Sequence, residues 1–95
     1  MKIFLTNDDG IYSEGIQILK RQLDNIAEVI VIAPDQERST IGHAMTLRKP
    51  LSIKEVKING DSWGYSVNGT PTDCIIIGLL EIMKDNKPDL IVSGI

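Results

Sequence analysis

Cysteine and histidine occur once each in these 95 residues, and only four residues are aromatic. A single cysteine, Cys74, excludes an internal disulfide. With His43 as the only histidine, the His/Cys cluster that holds structural zinc is also excluded. Basic residues are in deficit, ten against thirteen acidic, for a net charge of −3. Nucleic-acid duplexes held on a broad basic face need clustered Lys and Arg, so that class of partner is not expected. A small anionic substrate stays open if a bound cation inverts the local sign. No apolar run reaches the roughly 20 residues of a membrane span, and no secretory signal pattern opens the chain. A soluble, cytoplasmic protein with no membrane partner is expected. The sequence also lacks a Walker-type glycine-lysine loop, a G-x-G-x-x-G after the first apolar run, internal repeats and low-complexity tracts.

What is present is an alternation of two periodicities. Ile3 to Leu5 reads as a buried strand, and from Ser13 onward Ile16, Leu19 and Leu23 recur at helical spacing. Val29 to Ile32 is a second β-branched run, which Ala33-Pro34 is expected to stop. Strand, helix and strand over about thirty residues is the βαβ signature, which makes those two strands parallel. Leu51 to Ile58 and Trp63 to Val67, joined by the turn Asn59-Gly60-Asp61, read as a hairpin excursion from that sheet. Thr70-Pro71-Thr72-Asp73 opens another helix with an N-cap, a proline at N1 and an acid at N3. That helix carries the apolar run from Cys74 to Met83, where Cys74 reads as a buried, inert thiol. Asp89 to Ile95 reads as one more buried strand.

Chemistry concentrates where the first strand ends, in Asn7-Asp8-Asp9-Gly10. Neighbouring carboxylates repel by roughly 1–4 kcal/mol at 4 Å, depending on the local dielectric. In a regular strand they would point to opposite faces, so one site can use both only if the strand breaks. Gly10 supplies the break, since glycine takes positive φ without steric cost. The pair is either a solvated turn or a shared cation site. Ser39 leaves the carboxyl end of the second strand and rises at the same edge of the sheet. Two carboxylates and a hydroxyl suit Mg²⁺ or Mn²⁺, with waters completing the octahedron. Taken alone, a loop serine bonded to backbone or water is the better account of Ser39. His43 is an exposed loop histidine, a phosphate contact or a proton shuttle, and Gly42 beside it would let backbone approach an anion. Asn7, Gly10, Gly42 and His43 are the candidate substrate-binding residues, and Asp8 and Asp9 the candidate catalytic ones. Asn68-Gly69-Thr70 could bind an anion at a helix start, but Thr70 capping its own helix explains the same residues.

The blocks Leu5-Thr6-Asn7-Asp8-Asp9-Gly10-Ile11, Glu14-Gly15-Ile16, Val31-Ile32-Ala33-Pro34, Ser39 with Gly42, and Thr46 with Pro50-Leu51 run in one order. Asn68-Gly69-Thr70-Pro71-Thr72-Asp73-Cys74 and Pro88-Asp89-Leu90-Ile91-Val92-Ser93-Gly94-Ile95 follow. Together they resemble the SurE family, the survival-protein nucleotidases. The resemblance implies an α/β fold, a Rossmann-like three-layer sandwich with a mainly parallel sheet plus the hairpin. It implies a divalent-metal-dependent phosphatase acting on nucleoside 5′-monophosphates, also 3′-monophosphates, and in some members polyphosphate. It implies one divalent cation per subunit, Mg²⁺ or Mn²⁺, held by the residues matching Asp8, Asp9 and Ser39. In the family an asparagine directly after the last strand's Ser-Gly-Ile completes the ligand set. Family members are longer and form homodimers or homotetramers. On that resemblance residues 1–95 are expected to be the amino-terminal part of one such domain, impaired when taken alone.

Two other readings compete. A phosphoacceptor receiver domain also carries an acidic pair after its first strand, but needs an aspartate at the end of a later central strand. Here that strand ends in Ser93-Gly94. A nucleotide-binding module without catalysis would show metal-dependent affinity and no turnover.

Overall fold

Ile3, Phe4 and Leu5 are all fully buried, because the strand that carries them lies inside a sheet covered on both faces. The structure, a computed structural model, describes residues 1–37, 50–58 and 60–94. The elements are β1 (Lys2–Thr6), α1 (Glu14–Leu23), β2 (Glu28–Pro34), β3 (Ile53–Ile58), β4 (Asp61–Val67), α2 (Pro71–Ile77) and β5 (Leu90–Ser93). They build a five-stranded sheet in the order β3-β4-β2-β1-β5.

β1 pairs in parallel with β2, Leu5 opposite Val31, and with β5, Thr6 opposite Ser93. The chain moves one way along the sheet from β1 through α1 to β2. It moves the other way from β4 through α2 to β5. Crossovers of one hand that travel in opposite directions must put their helices on opposite faces, and the core divides accordingly. Ile16 of α1 packs with Leu5, Val31 and Ala33 on one face. Cys74 of α2 packs with Phe4, Ile32 and Val67 on the other. Each such buried aliphatic side chain contributes about 1.5–3 kcal/mol through removal from water. The result is the α/β three-layer arrangement expected from the sequence.

Three details differ from the sequence reading. β2 runs on through Ala33-Pro34, since a proline as last residue forfeits only its N–H, and its carbonyl still accepts from Ile11 N at 2.8 Å. The hairpin forms as expected but stays within the sheet: β4 pairs antiparallel with β3 and also parallel with β2. β5 is an edge strand rather than a buried one, with Leu90 49% and Ile91 41% exposed. An apolar run reports what a strand can bury, and among the described residues nothing pairs with the outer side of β5.

α2 begins as expected. Thr70 Oγ1 accepts from Asp73 N at 3.2 Å, and Asp73 Oδ2 accepts from Thr70 N at 2.9 Å. Past Ile77 the helix continues as a π-helical turn, Gly78–Ile82. Gly78 sits against the sheet so closely that a Cβ there would fall 2.6 Å from Phe4 Cζ. Trp63 and Tyr65 pack against opposite core clusters, which assigns both to hairpin packing.

Candidate metal centre

The strand order reverses between β1 and β5. In an open α/β sheet such a reversal splays the loops at the carboxyl ends of the two strands and leaves a crevice between them. The turn after β1 and the end of β5 open into a cleft of about 420 Å³ lined by Asp8, Asp9, Ser93 and Gly94.

The turn is built from its own sequence. Gly10 takes φ +105°, a conformation that L side chains rarely adopt, and a Cβ there would stand 3.0 Å from the Gln36 backbone. Asn7, fully buried, folds its amide over the turn. Its Nδ2 donates to Gly10 O and to Ser13 Oγ, both at 3.0 Å, and its Oδ1 accepts from Gly10 N at 3.2 Å. Ile11 N donates to Pro34 O, tying the turn to the end of β2. Asp8 and Asp9 are left exposed between these anchors.

The oxygen atoms gathered here fit a hard divalent cation. Asp8, Asp9 and Ser93 line one cleft, and carboxylate, hydroxyl and water oxygens are the donors that Mg²⁺ and Mn²⁺ prefer. Beside them Thr6, the register partner of Ser93, keeps a buried Oγ1 without a hydrogen-bond partner among the described residues. Among those residues no third His, Cys, Asp or Glu joins the pair.

Of the site residues expected from the sequence, Asp8 and Asp9 lie in the cleft, while Asn7 and Gly10 lie buried behind it. Ser39, Gly42 and His43 fall outside the described residues. Ser93 and Gly94 are cleft residues that the sequence reading did not single out as a site. Their signal was available, since they end the last strand of a parallel sheet. Ser93 also stands where a receiver domain would need its carboxylate.

A second cleft, of about 340 Å³, is lined by Tyr12, Asp35, Ser52, Lys54, Ser66 and Asn68. Asp35 and Asn68 directly follow β2 and β4, so this cleft lies on the same edge of the sheet, displaced toward the hairpin. Asn68 shapes it by accepting from Ser52 N at 2.7 Å and donating to Pro50 O at 3.1 Å.

The model of the family described as "Survival protein SurE" matches residues 3–95. A protein named 5'-nucleotidase SurE from Kosmotoga olearia is 52% identical over 95 residues, which are 100% of this chain and 37% of that protein. Its namesake from Alkaliphilus metalliredigens is 50% identical over 96 residues, covering 100% of this chain and 38% of that protein. The crystal structure of the SurE protein from Aquifex aeolicus superposes with a TM-score of 0.82 at 42% identity, over 100% of this chain and 37% of that one. The chain thus spans well under half the length of the curated relatives it matches.

Proposed function

The chain belongs to the survival protein SurE family, and from that membership we propose that the protein is a divalent-metal-dependent phosphatase of nucleoside monophosphates. The observation that carries the reading is the presentation of Asp8 and Asp9, both exposed, in the cleft at the reversal of strand order. Asp8 and Asp9 would hold one Mg²⁺ or Mn²⁺ per subunit, with Ser39 as a further ligand. When bound, the cation would lower the pKa of a water and offset charge on the phosphoryl oxygens. The chain's own part is to fix the two carboxylates on a rigid turn, and one of them accepts the proton of the attacking water. Ser93, at the lip of the cleft, offers its hydroxyl to a phosphoryl oxygen.

The nucleotide class rests on the relatives' printed name, 5'-nucleotidase. The second cleft supports it, with an exposed Tyr12 ring on which a base can stack and Ser52, Lys54 and Asn68 as polar partners. Nucleoside 3′-monophosphates and polyphosphate fall within the same proposal, since the cleft at Asp8 and Asp9 addresses the phosphoryl group. A homodimer or homotetramer and a cytoplasmic setting complete it. Among the described residues no helix is long and apolar enough to cross a membrane.

Phosphate release tests the reading. Asp8→Ala and Asp9→Ala are each expected to cut turnover of a nucleoside 5′-monophosphate by at least about a hundredfold. Wild-type turnover in either variant would reject the assignment. For the nucleoside contact, Tyr12→Ala is expected to raise KM for the nucleotide about tenfold, in keeping with about 1–3 kcal/mol for base stacking. It should leave a small non-nucleotide phosphomonoester unaffected, and equal effects on both substrates would remove the second cleft from the account.

A further inference from the structure

We propose that Asn7 is a positioning residue whose side-chain amide locks the Asp8–Asp9 turn and thereby sets the cation affinity of the pair. The proposal rests on the reading of that pair as cation ligands. Asn7 is fully buried and is not among the residues lining the cleft, so it has no face to offer a substrate. Its amide is instead spent across the turn. It donates to Gly10 O, accepts from Gly10 N, and closes a ring that contains only Asp8 and Asp9 between its ends. Among the described residues no hydrogen bond or ion pair holds either carboxylate itself. Their mutual placement therefore depends on the backbone that the Asn7 ring constrains. Like charges on adjacent residues push that backbone apart whenever no cation is between them, and the ring resists the opening.

A second observation comes from the next helix. Ser13 is the N-cap residue of α1 in extended backbone conformation, yet its side chain makes no capping hydrogen bond. Its Oγ accepts from Asn7 Nδ2 instead, at 3.0 Å. A serine in that position normally caps the free N–H groups of its own helix. Here it anchors the turn to α1, so the clamp has three attachment points: Gly10 O, Gly10 N and Ser13 Oγ. Groups that orient the ligands of a metal without touching it commonly change its affinity by about 10–100-fold when removed.

The test is a Mn²⁺ titration of the wild-type protein, Asn7→Ala, Ser13→Ala and Asp8→Asn, with circular dichroism and thermal melting recorded in the absence of metal. Asn7→Ala is expected to weaken Mn²⁺ affinity by about tenfold or more, and Ser13→Ala by a smaller factor. Phosphatase kcat should return in both when Mn²⁺ is raised. Unchanged Mn²⁺ affinity with a raised nucleotide KM at saturating metal would make Asn7 a substrate contact and overturn the proposal. Unchanged affinity with only a lowered melting temperature would reduce it to scaffold and overturn it equally. If Asn7→Ala does not fold, Ser13→Ala decides, because it removes one attachment only, and undiminished affinity there rejects the clamp. Asp8→Asn separates the two levels. Mn²⁺ binding that survives Asp8→Asn removes the metal reading itself, whereas binding lost there but intact in Asn7→Ala and Ser13→Ala removes only the role of Asn7.

Discussion

At the scale of single residues, the site depends on Gly10 as much as on the two acids beside it. Alanine at Gly10 would keep the positive φ of +105° only under strain and would press its Cβ against Gln36, 3.0 Å away. The expected cost is about 1–3 kcal/mol, visible as a lower melting temperature together with reduced phosphate release. A Gly10→Ala protein with wild-type stability and activity would show that the turn relaxes freely. The acidic pair and the glycine were legible in the sequence because both carry a direct physical signal, repulsion in one case and φ freedom in the other. Asn7 was legible as a candidate substrate-binding residue, and not as a hydrogen-bonding partner of its own turn. An asparagine in a turn can face solvent, substrate or its own backbone, and nothing in the residue order separates these. The hydrogen bonds to Gly10 and Ser13 do.

At the scale of elements, the two helices make an instructive pair, since both start with a hydroxyl residue suited to capping. Thr70 caps α2 through a reciprocal exchange with Asp73, whereas Ser13 does not cap α1 and bonds Asn7. Thr70→Ala is expected to cost about 1 kcal/mol, read as a melting temperature lowered by several degrees with phosphate release unchanged. A loss of activity without a loss of stability would instead mean that the Asn68-Gly69-Thr70 corner touches the substrate. The Thr-Pro-x-Asp pattern gave this helix start away, because capping is local chemistry. What lies beyond local chemistry was harder to read. The π-helical turn starts at Gly78, where the helix comes so close to Phe4 that a Cβ would not fit. The exposure of Leu90 and Ile91 follows from the place of β5 at the sheet edge. Neither close approach nor edge position is encoded in hydrophobic periodicity.

At the scale of the whole molecule, the strand order locates the cleft. With β1 central, β2 on one side and the last strand on the other, the crevice must open above Asp8, and the observed order places it there. Ser39, Gly42 and His43 fall outside the described residues, and among the described residues the cleft is defined by the two strand ends. The proposed hydrolase reading joins that geometry to a family match across residues 3–95, while the relatives' own chains run to more than twice this length. The central claim is that Asp8 and Asp9 tolerate each other because they share a small hard cation. Its most direct measurement is electron paramagnetic resonance of free Mn²⁺ titrated with the wild-type protein and with an Asp8→Asn/Asp9→Asn variant. The expected result is about one ion bound per chain by the wild type, at carboxylate ligands, and none at this site in the variant. Equal binding by both proteins, or none by either, would contradict it.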